Sequence, residues 1–294
     1  FNGDGRTDVA LMVKNASGQY WPNNVLTAGG AYPDLLTSVK NSLGGTTTVA
    51  YQGSPAWTGN VMPFVLQTVS AITRNDGRAA TTTTSYSYTG GLWSWAERRF
   101  LGFRTRTATM PCITGESNCP KRISTFVQSI AATSPLEQYE EQDGSGTTLR
   151  KRVEEWTLTT SSLPYKALNT ASWSYLYAGG SSKRTKVTRT FDSYGNLTQQ
   201  TEWGNFDASG DERTTQTDYA ANTSAYIVSL PGRVQVFAGS TTGGTKLAEA
   251  QTLYDNAAAY TTAPTKGDAT ASRVWLNTTG GDLVSTAAYD SYGN

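Results

Sequence analysis

The chain has 294 residues, with 24 Lys and Arg against 23 Asp and Glu, no histidine and two cysteines. Balanced charge gives no long-range pull toward phosphate backbones or anionic membranes, so no nucleic-acid partner is expected. No apolar run approaches the roughly 20 residues of a membrane span. The absence of histidine removes Ser-His and Cys-His nucleophile pairs, imidazole acid-base chemistry and the usual zinc sites. Any enzyme here must work with carboxylates, Lys or Tyr. Abundant Thr, Ser, Gly and Tyr favour pleated strands and tight turns, and so an all-β chain.

The opening Phe1-Asn-Gly-Asp-Gly-Arg-Thr-Asp8 reads as a loop, followed by the apolar strand Val9–Val13 and a turn-rich stretch to residue 34. Hairpins begin at Leu35. Val39 precedes the turn Asn41–Gly45, and Thr47, Val49 and Tyr51 alternate after it. Val65, Gln67 and Val69 repeat this spacing. Asn75-Asp-Gly77 turns the chain into Thr82, Thr84, Tyr86 and Tyr88, and Thr89-Gly-Gly91 turns it again before Trp93, Trp95 and Phe100. In the less distinctive middle, Arg122–Ala132 and Leu149–Thr160 read as strands around the polar turn Glu140–Gly146. Cys112 and Cys119, each beside a proline, flank a segment able to loop back into a disulfide. Two unpaired thiols are the alternative. No convincing amphipathic helix appears.

Trp173, Tyr175 and Tyr177 alternate before Gly179-Gly180 and the basic strand Lys183–Phe191. A loose repeat then sets in. Phe191-Asp-Ser-Tyr-Gly-Asn196, Tyr254-Asp-Asn256 and Tyr289-Asp-Ser-Tyr-Gly-Asn294 share an aromatic-Asp start, with Tyr219 between them. Positions 191, 219, 254 and 289 are spaced by 28, 35 and 35 residues, which suits stacked hairpins. Gly-Asn makes the turn, Asp accepts from turn amides, and the aromatic stacks. The chain opens inside the Phe1–Asp8 loop and stops inside the last of these turn motifs, so it reads as an internal piece of a longer polypeptide.

Tyr-Asp-X-X-Gly-Asn is the hallmark of Rhs/YD-repeat proteins. Upstream, Leu36–Tyr51, Met62-Pro-Phe64, Tyr86-Ser-Tyr-Thr-Gly-Gly91 and Glu97-Arg-Arg-Phe-Leu-Gly-Phe103 resemble the middle region of insecticidal toxin-complex B components and SpvB-type proteins. The first eight residues resemble the calcium-loop repeats (FG-GAP/VCBS type) that precede it. The resemblance implies three segments: 1–34 as the end of a β-propeller segment, 35–182 as the B-component middle region, and 183–294 as stacked antiparallel hairpins of a YD-repeat shell. It also implies a hollow β-shell that holds and delivers a toxic C-terminal segment. The implied partners are a C-type component or the chain's own effector, and an A-type translocation channel. Secretion or display at the bacterial surface follows from the same resemblance.

The opening loop offers Asn2, Asp4, the Arg6 carbonyl and Asp8 at alternate positions, a pattern suited to Ca²⁺. The usual leading acid would fall before Phe1. An Asx-rich turn without metal is the competing reading. Glu137, Glu140, Glu141, Asp143, Glu154 and Glu155 would serve a glycosidase only as two carboxyls roughly 5–10 Å apart across a cleft. Around a Gly-rich turn they read as a solvated turn and strand face. SpvB-type proteins can carry an ADP-ribosyltransferase domain, but its Glu-X-Glu signature is absent from this sequence.

Alternation sends Arg184 and Lys186 to one face of their strand and Lys183 and Arg189 to the other, unlike a nucleic-acid groove. Trp93/Trp95 and Trp173/Tyr175/Tyr177 read as core or ladder residues, with sugar-stacking platforms as the alternative. The expected function is therefore a non-catalytic encapsulating module. A carbohydrate- or receptor-binding surface module is the second reading.

Overall fold

The structure, a computed structural model, describes residues 5–11, 14–19, 24–30, 32, 34–112, 118–290 and 293. Its contacts divide the chain into two compact units, Phe1–Lys151 and Arg152–Asn294. Among the described residues there is no α-helix, only one short 3-10 turn at Ser54–Ala56 between strands.

The first unit contains β1 (Val9–Leu11), β2 (Asn24–Leu26), β3 (Ser38–Lys40), β4 (Thr46–Gly53), β5 (Gln67–Asn75), β6 (Thr81–Thr89), β7 (Trp93–Ser94), β8 (Arg99–Phe100), β9 (Thr105–Thr109), β10 (Lys121–Ser129) and β11 (Ala132–Gln142). β1 and β2 pair only with each other. The rest form an antiparallel meander in the order β3-β4-β5-β6-β9-β10-β11, with the small β7–β8 hairpin set outside it. Asn-rich turns explain the hairpins. Asn41 Oδ1 accepts the amides of Leu43 and Gly45, and Asp76 Oδ1 accepts those of Arg78 and Ala80, so turn donors are satisfied without the ladder. Cys112 and Cys119 are joined by a disulfide beyond the ends of β9 and β10, where the Met110 amide also bonds the Pro120 carbonyl.

The boundary between units lies in β12 (Thr148–Thr159). The second unit continues through β13 (Lys166–Ala178), β14 (Ser181–Phe191), β15 (Leu197–Asn205), β16 (Arg213–Asn222), β17 (Ile227–Ala238), β18 (Lys246–Tyr254), β19 (Ala269–Trp275) and β20 (Asp282–Thr286). Each strand lies beside the next in sequence. The sequence border at 182/183 falls within β14, whose first residues pair back onto β13. It marks a change of sequence pattern, whereas the compact units are divided at 151/152. Pro231 stands inside β17 opposite Tyr219, beside a register shift between Asp218 and Tyr219, where a missing amide is tolerated. Gly232 follows because a Cβ there would lie 2.7 Å from the Tyr260 carbonyl oxygen.

Burial is sparse and partly polar. Ala171, Ala220, Phe237, Leu253 and Tyr254 are buried in the second unit, together with Thr201, Thr214 and Thr270. The Thr201 and Thr214 hydroxyls meet at 3.2 Å as cross-strand partners. Aromatic residues of the Tyr-Asp repeat tie each returning strand to the strand before it. The hydroxyls of Tyr219, Tyr254 and Tyr289 donate to the carbonyls of Leu197, Pro231 and Ala269 at 3.0–3.1 Å. Burial raises the pKa of the Tyr219 and Tyr254 phenols, so both stay protonated as donors. Tyr254→Phe keeps the ring and removes only this bond. It is expected to lower stability by about 1 kcal/mol in urea unfolding. An unchanged unfolding midpoint would show that the hydroxyl does not hold the hairpins in register.

Candidate functional site

Of the expected calcium-loop residues, Asn2 and Asp4 lie outside the described residues. Gly5 turns the chain at φ 83°. Beyond it, Arg6 Nη1 donates to the Ala28 carbonyl and Asp8 Oδ1 accepts the Ala28 amide, both at 3.0 Å. The described half of the loop thus grips the segment after β2. Among the described residues no group of three or more His, Cys, Asp or Glu side chains gathers in metal-binding geometry.

The carboxylates are each engaged by neighbouring groups. Glu137, Glu140 and Glu141 lie within β11 rather than in the turn, because the strand continues to Gln142. Glu137 pairs with Arg104. The hydrogen bond from Thr148 holds the Glu140 carboxyl below its ordinary range against the opposing effect of burial, with Gln142 adding to it. Glu141 is lowered first by the Tyr139 hydroxyl at 2.6 Å and pairs with Arg122 at 3.0 Å. Asp143 caps its turn through the Ser145 hydroxyl and the amides of Ser145 and Thr147, which lower it as well. A glycosidase acid needs the opposite shift.

Glu154 is the buried member of the set, 6% exposed. It accepts from Arg152, from Asn169 Nδ2 at 2.9 Å and from Ser172 Oγ at 2.5 Å. Arg189 joins this network through Asn169, Ser172 at 3.0 Å and Gln200 at 3.2 Å. A buried charge needs such partners, and here they come from β12, β13, β14 and β15.

Arg184 and Lys186 share the opposite face with the aromatic stripe. Trp173, Tyr175 and Tyr177 form a ladder with centroids 6.1 and 6.3 Å apart and planes within 19° and 10°. Lys186 Nζ sits 4.3 Å from the Trp173 centroid, and Arg184 lies over Phe206 at 4.9 Å while pairing with Asp207. Both cations therefore have partners within the protein. Trp93 packs edge-on against Phe64 at 5.3 Å, in a chain of rings that includes Phe100, Phe103 and Tyr88. Trp95 stays 69% exposed, so Trp93 and Trp95 do not form one platform.

The Tyr-Asp turn is well defined. Asp192 Oδ1 accepts the amides of Tyr194 and Asn196, both at 2.9 Å, and Oδ2 accepts Asn196 Nδ2 at 2.8 Å. Gly195 has φ 90°, which favours glycine. Asn196 also donates to the Val228 carbonyl, reaching the next hairpin. Asp255 plays a related part over a longer loop, accepting the amides of Thr265, Lys266, Gly267 and Asp268. These amides outweigh burial and hold its carboxyl far below its ordinary range. Spacing alone did not single out the polar row Gln199, Gln216, Gln235 and Glu249, whose members are successive cross-strand partners.

This arrangement defines an all-β chain built from antiparallel hairpins joined by Asp-capped turns. Residues 1–127 match the family model described as the insecticide toxin TcdB middle/N-terminal region. The fold is similar to that in the Photorhabdus luminescens Tc holotoxin pore, with 14% identity over 93% of this chain and 19% of that chain, TM-score 0.59. It is also similar to TcdB2-TccC3 without the hypervariable C-terminal region (12% identity, 91% and 21% coverage, TM-score 0.57). For TcdB2-TccC3-Cdc42 the values are 13%, 83% and 18%, and 0.58. The chain thus spans about a fifth of the solved chains it matches, and at this identity the likeness is one of fold. No curated protein sequence matches it. The chain resembles an insecticidal toxin-complex B component, as its motif order implied.

Burial pushes the Glu249 carboxyl up, but bonds from Lys246 (2.9 Å), Gln251 (2.7 Å) and Gln235 (2.8 Å) outweigh it and hold the pKa at about 2, below the ordinary 4.5. A lowered folded-state pKa stabilises above the unfolded value, and the gain disappears as pH falls toward about 2. Glu249→Gln is therefore expected to be less stable than wild type at neutral pH, with a gap that narrows steadily below 4.5. Urea unfolding followed by tryptophan fluorescence at several pH values measures the gap. A gap independent of pH would mean that Glu249 is not held ionised in this way.

Proposed function

We propose that this chain is a non-catalytic structural module of a toxin-complex B-like protein, and that its strands form part of a β-shell holding a toxic C-terminal segment for delivery. The observation that carries this reading is the combination of the TcdB family match over residues 1–127 with a fold likeness to the Tc holotoxin over 93% of the chain. TcdB2 is paired with TccC3 in the solved complexes, so a C-type component, or an effector on the same polypeptide, is the expected partner. An A-type translocation channel is the further expected partner. Secretion or surface display follows from the same role. No helix among the described residues is long and apolar enough to cross a membrane.

The residues support a structural role. Carboxylates are engaged in turn caps, ion pairs and a buried network, and every resolved carboxylate shift is downward. The test is co-expression of the parent protein with its C-type partner, followed by limited proteolysis. Co-elution with a protease-resistant cargo segment is expected. Removing residues 183–294 should expose the cargo, and a cargo equally sensitive with and without the parent protein would exclude encapsulation.

The opening loop completes the reading. Asn2, Asp4, the Arg6 carbonyl and Asp8 would hold a structural Ca²⁺, joined by an acid from upstream sequence. Gly5 already supplies the sharp turn, and Asp8 and Arg6 fix the loop against Ala28. Calorimetric titration of a protein extended upstream should show calcium-dependent heat that Asp8→Ala abolishes. The absence of such heat would leave the loop as a metal-free Asx turn.

A further inference from the structure

The second unit holds an open concavity of about 550 Å³ beside the first Tyr-Asp turn. Thr190, Thr198, Gln199, Gln216, Thr217 and Tyr194 line it. Its two carboxylates are already engaged. Asp192 caps its own turn through both oxygens. Asp218 accepts Arg233 through Oδ2 and Gln216 Nε2 through Oδ1. Arg233 is held by this pair and lies over the Tyr260 ring. Arg233 thus neutralises one of the two carboxylates while neutral turn amides hold the other, which disfavours an anionic ligand.

What remains is neutral and rich in hydrogen-bonding groups. Gln199 and Gln216 are cross-strand partners, and among the described residues neither amide oxygen accepts a hydrogen bond. Tyr194 is 46% exposed and meets the Tyr226 ring edge-on at 6.4 Å. The Asn196 bond to the Val228 carbonyl fixes the two turns that carry these rings. An exposed aromatic face beside amides and hydroxyls suits a ligand with an apolar ring face and many hydroxyls.

We propose that this concavity binds a neutral mono- or disaccharide. The sugar's CH face packs on Tyr194, and its hydroxyls bond the Gln199 and Gln216 amides, which lie on one face of the sheet as cross-strand partners. The site is separate from the aromatic-cation face around Trp173, where the cations Lys186 and Arg184 already lie over the Trp173 and Phe206 rings. It does not depend on the encapsulating role, since it uses only side chains of β14 to β16 and their turns.

The test is saturation-transfer NMR and calorimetry on the full chain with methyl glucoside, methyl galactoside and methyl N-acetylglucosaminide. N-acetylneuraminic acid serves as the anionic comparison. At least one neutral glycoside is expected to bind in the millimolar range and more tightly than the anionic sugar. Tyr194→Ala should weaken binding about tenfold through the loss of the ring contact. Gln199→Met, which keeps the side-chain length and removes the amide, should weaken it several-fold with an unchanged melting temperature, and it provides the answer if Tyr194→Ala does not fold. No binding at tens of millimolar, binding unaffected by Gln199→Met, or preference for the anionic sugar overturns the proposal.

Discussion

Backbone pairing between neighbouring antiparallel strands is the constraint on which the rest of this protein depends. Among the described residues, buried apolar side chains are few and scattered along the strands, from Leu101, Ala108 and Val127 to Ala171, Ala220, Phe237, Leu253 and Tyr254. Stability in such a sheet comes largely from each strand satisfying the amides and carbonyls of the next, and from rows of side chains across the ladder. Each hairpin turn must therefore have definite geometry, because a one-residue slip would move every side chain to the wrong face. Asn41, Asp76, Asp143 and Asp192 each cap a turn with side-chain oxygen and hold the register locally.

The rows across the second unit are strongly polar and yet well satisfied. Gln199, Gln216, Gln235 and Glu249 follow one another over four strands, and Asp218, Arg233, Gln251 and Arg273 form a neighbouring row. Cross-strand amides and ion pairs favour one register over its neighbours even where they add little net stability. The Tyr-Asp tyrosines complement them by reaching carbonyls on the preceding strand. Phe191 opens the first copy without a hydroxyl, so that copy lacks this tie and relies on its turn and on Asn196. β20, the edge strand of the sheet, leaves Leu283 and Val284 at 60% and 53% exposure.

The same economy shapes the chemistry. Charges that could have formed a reactive or nucleic-acid-binding site are paired with one another: Glu154 in its network, Arg184 with Asp207, Arg233 with Asp218. Neutral groups are left at the concavity beside the Tyr-Asp turn, which is the ground for proposing a neutral saccharide there rather than an anionic one.

Strand alternation, Gly-Asn and Asn-Asp-Gly turns and the aromatic-Asp spacing made the all-β hairpin fold legible in the sequence, because a period of two and turn chemistry are local properties. The motif order carried the toxin-complex resemblance for the same reason, and the face division of Arg184 and Lys186 from Arg189 followed from alternation. Tertiary structure alone decided the rest. It joined Cys112 to Cys119, separated Trp93 from Trp95, and placed Glu137, Glu140 and Glu141 in a strand where hydrogen bonds and ion pairs engage them. It also assembled the Glu154–Arg189 network and the row ending at Glu249. Those contacts join residues on different strands, and their register depends on turns and bulges whose effect accumulates along the chain, so no single stretch of sequence contains them.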